Sequence, residues 1–243
     1  MDHEATAPDS YYVQGALEFH SLSSYGEFPE PFRPALETMP ELEERQTALG
    51  AGPSLAAVAD MLKARRSVRR RRARLDLATA ERVLRTALAP DEATGHWPYP
   101  SAGNLRAVTV YCAAFDVLGT ERGISRFEPQ AGRLLPHTVS GNVPDEPGLC
   151  GETLLRTSAV DPATVQAVFL FVGLLGRAGA RYGERAYRYL LLEAGHMAQN
   201  LSLVLATENL AGCPIGGIHD DEARRILRLT HSTAVCLYGM AIP

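Results

Sequence analysis

The sequence has almost no lysine: of its 24 basic residues only Lys63 is a lysine, and the others are arginine. Arginine is therefore the default cation of this chain, and its presence at one position says little by itself. The chain also lacks an excess of positive charge, since its formal net charge is −4 and its pI is near 6.0. A general nucleic-acid-binding protein usually carries a basic excess, so the composition argues against that class.

The cysteines are few and badly spaced for a metal site. Cys112, Cys150, Cys213 and Cys236 form no C-x-x-C pair and have no histidine at zinc-finger spacing. We expect small buried thiols in a reducing compartment. No apolar run reaches the roughly 18 to 20 residues that a membrane helix needs, and the acidic first ten residues do not resemble a signal peptide. These absences predict a cytoplasmic protein that does not bind membranes.

What is present predicts one folded domain that follows an arm. The chain has 243 residues, 46% of them hydrophobic, which is enough to bury one good core. Residues 1–50 are rich in proline, glutamate and tyrosine, so we expect an extended N-terminal arm. Residues 51–243 then form the domain.

Apolar periodicity predicts four helices in the domain. The first covers about residues 54–64, with Ser54 as its N-cap. Its expected buried face consists of Leu55, Val58, Ala59 and Leu62. The second covers residues 77–88 and is capped by Asp76. The longest covers about residues 184–208. It ends at Asn209, and asparagine suits the left-handed backbone conformation that often follows a helix. A short helix at 220–229 comes next.

The middle and the end of the domain read as strands. Apolar, β-branched or alternating runs at 108–114, 123–127, 134–137, 165–175 and 234–242 predict them. The second and third are expected to form a hairpin, and the uninterrupted apolar run at 165–175 is typical of a strand buried on both faces. The order contains no regular βαβ alternation, which predicts the α+β fold class.

The densest charge cluster surrounds Ser67. It consists of Arg65, Arg66, Arg69, Arg70, Arg71, Arg72 and Arg74. Three interpretations stay open: a solvated surface, a nucleic-acid patch, and a phosphate site built from guanidinium forks and a hydroxyl. The nucleic-acid patch is the weakest of the three because no aromatic residue interleaves the arginines.

Two short motifs suit either an ordinary turn or a close approach to a ligand. PSAGN, at residues 100–104, precedes the first strand and offers small residues together with two hydrogen-bonding side chains, Ser101 and Asn104. GCPIGG, at residues 212–217, follows the longest helix and can present a bare backbone N–H to a ligand. Neither motif decides the matter alone.

The segment at 181–201 reads RYGERAYRYLLLEAGHMAQNL. His196 lies in its mostly apolar helix, and such a histidine is more often a core or interface residue than a catalyst. Tyr182 stands out because it precedes the helix, where its ring can stand over a ligand.

In this order and spacing, RRSVR, PSAGN, the segment 181–201 and GCPIGG resemble the nitroreductase-like flavoprotein superfamily. Within it they resemble the SagB-type branch, the azoline dehydrogenases that oxidise thiazoline and oxazoline rings in modified peptides. The resemblance extends from about residue 55 onward, and the segment 181–201 carries its most specific pattern. It implies a central, mostly antiparallel sheet flanked by helices and a homodimer with FMN at the subunit interface. It also implies a peptide substrate and a cyclodehydratase complex as partners.

The resemblance further implies four groups of site residues. The FMN phosphate and ribityl chain are bound by Arg65, Arg66, Ser67 and Arg69. The loop that reaches the flavin from the other subunit is formed by Pro100, Ser101, Ala102, Gly103 and Asn104. The backbone beside flavin N5, where an N–H stabilises the reduced ring, is formed by Pro214, Ile215, Gly216 and Gly217. The proton is removed from the azoline ring by Tyr182 beside Arg181.

Two departures from the pattern leave other functions open. Arg181 stands where the azoline-oxidising members have lysine, and an arginine can support a neighbouring phenolate but cannot accept a proton. Arg106-Ala107 stands where the family often has Tyr-Pro. One alternative is an NAD(P)H-dependent reductase of nitro, quinone or enone compounds on the same scaffold. The other is a non-catalytic partner in a peptide-modifying complex.

Overall fold

The computed structural model describes residues 18–20, 22, 52–70, 73–137, 149–210, 212–229 and 233–243. Of the predicted arm, residues 18–20 and 22 are helical, and Phe19 packs edge-on against Tyr187 with 5.2 Å between ring centroids. The rest of the arm lies outside the described residues, as do Arg71 and Arg72. The division into arm and domain therefore stays a prediction.

The centre of the fold is a six-stranded sheet in the order β3-β2-β1-β4-β6-β5, in which every pairing is antiparallel. The strands are β1 Val108–Ala114, β2 Gly123–Glu128, β3 Arg133–Pro136, β4 Ala167–Leu174, β5 Cys213–Ile215 and β6 Ala234–Ile242. The helices are α1 Leu55–Ala64, α2 Leu77–Leu88, α3 Gly151–Leu154, α4 Leu175–Tyr182, α5 Ala186–Thr207 and α6 Asp220–Ile226. This architecture confirms the predicted α+β fold with an antiparallel sheet flanked by helices.

Strand β4 shows why its sequence is apolar without interruption. Phe169 and Phe171 face the core that packs on α2 and α5, while Val168, Leu170 and Val172 face the core that packs on α3 and α6. Successive side chains of a strand point to opposite faces. Because both faces are covered, every position of β4 is apolar, as predicted.

The capping residues confirm the helix boundaries that the sequence predicts. The Ser54 hydroxyl accepts a hydrogen bond from the Ala57 N–H at 3.2 Å, and the Asp76 carboxylate accepts one from the Thr79 N–H at 2.7 Å. Each bond satisfies an N–H that the helix itself leaves without an acceptor. Beyond the end of α5, Asn209 adopts the predicted left-handed backbone, with φ of 53°.

Three predictions about elements need correction. Helix α1 buries no residue in the single chain, and its expected inward residues Leu55 and Leu62 are 85% and 52% exposed. Half of the GCPIGG motif is the edge strand β5 and not a turn. Helix α4 was not predicted, and Leu175, expected at the end of a strand, begins it. Two glycines within its eight residues lower the helix propensity and conceal it.

A buried glutamine joins three separate segments beside the sheet. Gln166 is 0% exposed, and its side-chain oxygen accepts a hydrogen bond from the Leu75 N–H at 2.8 Å. Its amide nitrogen donates to the carbonyls of Ala73 at 2.9 Å and Pro243 at 2.7 Å. All of these polar groups are therefore satisfied although they are removed from water.

The four cysteines are free thiols. Burial raises the pKa of Cys112 and Cys236 to about 12, so both stay protonated at neutral pH. Within the described ranges, no helix combines the length and the apolar character needed to cross a bilayer.

Candidate active site

Tyr182 and Arg181 lie at the corner between α4 and α5. Tyr182 ends α4, and Gly183, with φ of 55°, turns the chain into a short 3-10 helix that leads into α5. The Arg181 guanidinium carbon lies 5.7 Å from the centroid of the Tyr182 ring, within the range of a cation–π contact. Tyr189 packs edge-on against the same ring at 4.9 Å, so the half-buried tyrosine is held by its neighbours.

The PSAGN loop contacts this corner through Gly103. The backbone of Gly103 is left-handed, with φ of 55°, and a Cβ there would collide with the Tyr182 hydroxyl. The same Cβ would lie 3.1 Å from the guanidinium carbon of Arg181. Glycine is thus required both by the conformation and by the close approach. The structure therefore brings two of the predicted groups, the loop and the tyrosine–arginine pair, into contact.

A buried carboxyl group anchors this loop to α5. Glu193 is 4% exposed; it accepts a hydrogen bond from the Ser101 hydroxyl at 2.5 Å and another from the Val108 N–H at 3.1 Å. Burial raises the pKa of Glu193, and the hydrogen bonds from Ser101 and Val108, together with the charge of Arg106, oppose that rise. The Ser101 hydroxyl also accepts from the Arg106 N–H at 2.9 Å.

Sequence reasoning missed both Glu193 and Arg106 as site residues. The available signal for Glu193 was a lone acidic residue on the apolar face of the longest helix, between Leu190 and Met197. A charged residue at such a position is rarely buried without a partner. His196, in contrast, is exposed on α5 and is not a core residue of the single chain.

The arginine segment follows α1 directly. The Arg65 guanidinium lies 3.5 Å from the Ser67 hydroxyl. The Arg66 guanidinium donates to the carbonyl of Lys63 and, at 2.8 Å, to that of Arg65, so Arg66 also caps the C-terminus of α1. Burial raises the pKa of Cys213 in strand β5, and the positive charge of Arg69 opposes that rise. This electrostatic interaction is the link between the arginine segment and the GCPIGG motif.

The GCPIGG motif leaves its backbone open at one position. Pro214 and Ile215 pair with β6, and Ile215 is buried. Gly217 is held in place because its carbonyl accepts from the Arg156 N–H at 2.9 Å and a Cβ would collide with the Arg156 carbonyl. A Cβ on Gly216 would meet nothing within 4 Å. The main chain at Gly216 is thus exposed and unobstructed.

In the single chain the predicted site residues form two groups. The first group consists of Pro100–Asn104, Arg181 and Tyr182, and the second consists of Arg65–Arg69 and Pro214–Gly217. Hydrogen bonds and close contacts tie the first group together, whereas the charge of Arg69 links the two parts of the second.

The family model described as Nitroreductase family matches residues 62–242, which is most of the chain. The chain belongs to the nitroreductase family. It is therefore a nitroreductase-family oxidoreductase. A protein of Methanocaldococcus jannaschii that carries the name nitroreductase is 29% identical over 171 residues, which are 70% of this chain and 83% of that protein.

Solved structures share the nitroreductase fold with this chain. One is the Escherichia coli microcin synthetase McbBCD complex with truncated pro-MccB17 bound, with 19% identity, a TM-score of 0.60, and coverage of 94% of this chain and 91% of that one. Another is a nitroreductase-fold protein of Exiguobacterium sibiricum in complex with FMN, with 14% identity, a TM-score of 0.51, and coverage of 76% and 86%. At these identities the likeness shows the fold alone.

Proposed function

We propose that this nitroreductase-family protein is an FMN-dependent dehydrogenase of the SagB type that oxidises azoline rings in a modified peptide to azoles. The observation that carries the proposal is the close approach of the Tyr182 hydroxyl to the Gly103 backbone, with the Arg181 guanidinium against the Tyr182 ring. In this arrangement a hydroxyl group, a fixed positive charge and a glycine loop lie together near the N-terminus of α5. A positive charge beside a phenol favours the phenolate form that accepts a proton.

The second group of site residues fits FMN. The guanidinium of Arg65 and the hydroxyl of Ser67 are the donors that a phosphate monoester prefers, and the open main chain at Gly216 leaves room for a flat ring. The FMN complex of the Exiguobacterium sibiricum protein supports this assignment. When bound, FMN supplies the acceptor for the hydride that leaves the azoline ring.

The residues of the chain supply the proton transfer. The Tyr182 oxygen takes the proton from the ring carbon, and the Arg181 guanidinium, close to the tyrosine ring, stabilises the negative charge on that oxygen. Arg181 stays protonated, so it acts by its charge and not as the base. Tyr189 holds the tyrosine ring in place. A base placed in this way contributes about 10²–10⁴-fold to the rate.

We propose that a homodimer completes the site. Of the eight large apolar side chains that are exposed among the described residues, five lie on α1 and α5: Leu55, Met61, Leu62, Leu191 and Leu192. Helix α1 contacts α5 of the same chain but buries no residue there, so its exposed apolar side chains favour a further partner surface. A second copy that covers α1 and α5 would bring the first group of one subunit to the second group of the other.

Sedimentation of one double variant and one single variant tests the dimer. Leu62→Glu combined with Leu192→Glu introduces charges into the proposed interface, and we expect a monomer that binds FMN poorly. Leu135→Glu, an exposed position on β3, is the matched control and should remain dimeric. A wild-type protein that sediments as a monomer and still binds FMN would contradict the proposal.

The likeness to the microcin synthetase complex, in which truncated pro-MccB17 is bound, supports a peptide as the substrate. It also supports an association with a cyclodehydratase complex, which would form the azoline rings. The experiment is to incubate the FMN-loaded protein with a synthetic peptide that carries one thiazoline and to follow the loss of two hydrogen atoms by mass spectrometry.

The Tyr182→Phe variant should keep the visible flavin spectrum and lose turnover by about 10²-fold or more, because it lacks the proton acceptor. Tyr187→Phe, which removes a hydroxyl from a nearby tyrosine on α5, is the control. Unchanged turnover in Tyr182→Phe would reject the tyrosine as the base. A protein that gains no affinity for added FMN would reject the whole proposal.

The family match also favours a second candidate, an NAD(P)H-dependent reductase of nitro, quinone or enone compounds. Rapid bleaching of the bound flavin by NAD(P)H without any peptide would support that function. A protein that binds a cyclodehydratase complex but no flavin would instead be a non-catalytic partner.

A further inference from the structure

Arg106 closes the PSAGN loop from its C-terminal side. Its guanidinium donates one hydrogen bond to the Tyr99 carbonyl at 2.6 Å and a second to the Asn104 side-chain oxygen at 2.7 Å. Its backbone N–H donates to the Ser101 hydroxyl at 2.9 Å. One residue thus contacts both ends and the middle of the loop. A lysine could not reproduce this pattern, because its single ammonium group has no rigid fork.

The loop needs these hydrogen bonds because the conformation of its backbone is unfavourable. Gly103, Asn104 and Arg106 all have positive φ, at 55°, 55° and 50°. Glycine and asparagine tolerate this region, but a long side chain such as that of Arg106 rarely adopts it without support from its surroundings. The hydrogen bonds of Arg106 hold the loop in a conformation that it would otherwise leave.

The Arg106 guanidinium packs on two aromatic rings, but one of its nitrogen atoms has no hydrogen-bond partner. The group lies over the rings of Trp97 at 4.9 Å and Tyr99 at 5.1 Å, and its Nε atom is buried without a hydrogen-bond partner. Burial lowers the pKa of Arg106, and the nearby charges of Tyr99 and Glu193 oppose that change. A buried polar atom without a partner is uncommon in folded proteins and suggests a role other than stability.

The contact of Gly103 with Tyr182, on the side of the loop opposite Arg106, indicates that role. Gly103 lies against the Tyr182 hydroxyl and the Arg181 guanidinium, so a shift of the loop would alter the surroundings of both. Glu193 holds Ser101 from below and Arg106 holds the flanking residues. Both residues therefore help to fix the loop on which Gly103 meets Tyr182.

We propose that Arg106 is a positioning residue, which keeps Gly103 against the Tyr182 hydroxyl by locking residues 99–104 and does not itself touch the substrate. This inference rests on the proposed function, because it concerns the geometry around the base. A displacement of about 1 Å at a catalytic group costs on the order of 10²-fold in rate. Loss of the hydrogen bonds of Arg106 should accordingly lower kcat and leave KM nearly unchanged.

The experiment compares the FMN-loaded wild-type protein with Arg106→Ala and Arg106→Lys, using the thiazoline peptide as the probe. We expect kcat to fall by about 10- to 100-fold in both variants, with FMN affinity and KM within about threefold. Low millimolar guanidinium should restore much of the kcat of Arg106→Ala, whereas ammonium should not. Arg126→Ala is the control. Arg126 and Arg106 line one cavity, but the hydrogen-bond partner of Arg126 is Glu128 and not the loop.

Amide hydrogen exchange of residues 101–105 separates the inference from the proposed function. We expect faster exchange in Arg106→Ala than in wild type and unchanged exchange in α2. If the wild-type protein does not oxidise the thiazoline peptide, the proposed function fails, and the exchange result alone decides whether Arg106 holds the loop. Wild-type kcat in Arg106→Ala, or a lost kcat that guanidinium does not restore while exchange stays slow, would overturn the inference.

Discussion

Two buried polar clusters of this protein differ in how completely they are satisfied. Around Gln166 a neutral amide uses its oxygen and its nitrogen on three backbone groups, with distances of 2.7 to 2.9 Å. Around Ser101 a buried carboxyl group lies close to a half-buried guanidinium, whose Nε atom is buried and has no hydrogen-bond partner. The first cluster contains no residue of the proposed site. The second lies beneath the loop that contacts Tyr182.

The difference separates a cluster that stabilises the fold from one that shapes a site. A neutral cluster in which every polar group has a hydrogen-bond partner adds stability at little cost. Buried charges and left-handed backbone reduce stability, and they persist where function requires them. We therefore expect changes at Gln166 to affect unfolding more than turnover. Changes around Ser101 should affect turnover more than unfolding.

The largest expected effect on stability is that of Gln166→Leu. The leucine fills a similar volume but leaves the Leu75 N–H and the carbonyls of Ala73 and Pro243 without partners, so the free energy of unfolding should fall by about 3 kcal/mol. Urea unfolding measures this loss of free energy. The FMN affinity of the folded variant should stay within about twofold of the wild-type value. Gln130→Leu, in an exposed turn, is the control. A loss below about 1 kcal/mol would remove the contrast between the clusters.

A smaller loss of stability is expected from Ser101→Ala. The variant removes the hydroxyl that donates to Glu193 and accepts from the Arg106 N–H, which should lower the free energy of unfolding by about 1 kcal/mol. Because the loop is released, kcat with the thiazoline peptide should fall by about tenfold. Ser125→Ala on β2 is the control. A variant with wild-type kcat would show that the loop does not need this anchor.

The smallest effect is the pH dependence of stability that Glu193 contributes. Its pKa is raised above the ordinary value of 4.5, so the folded state holds this proton more tightly than the unfolded state does. The resulting stabilisation is complete below about pH 4.5 and is lost as the pH rises through the raised pKa. Glu193→Gln does not titrate, so its midpoint of thermal unfolding should fall less over this range. Glu92→Gln, at an exposed carboxyl, controls for the loss of one charge, and identical curves for wild type and Glu193→Gln would contradict the assignment.

Most of the fold could be predicted because its signals are local. The caps Ser54 and Asp76, the alternating or uninterrupted apolar runs of the strands, and the stop at Asn209 each act within a few residues of their position. The errors arose where local and distant effects disagree. Apolar periodicity placed Leu55 and Leu62 inside, although both stay exposed in the single chain while α1 contacts α5 through other residues. The glycines of α4 hid a helix that packing against α5 stabilises.

By itself, the sequence determined the α+β class, the positions of most helices and strands, and the motifs from which the site is proposed, because periodicity, capping and turn chemistry are properties of neighbouring residues. Only the tertiary structure decided that Glu193 lies under Ser101, 92 residues earlier in the chain, and that Gly103 contacts Tyr182. No local pattern encodes such pairs. They depend on where the antiparallel sheet and the long helix place distant segments, and on the free energy of burying a charge beside them.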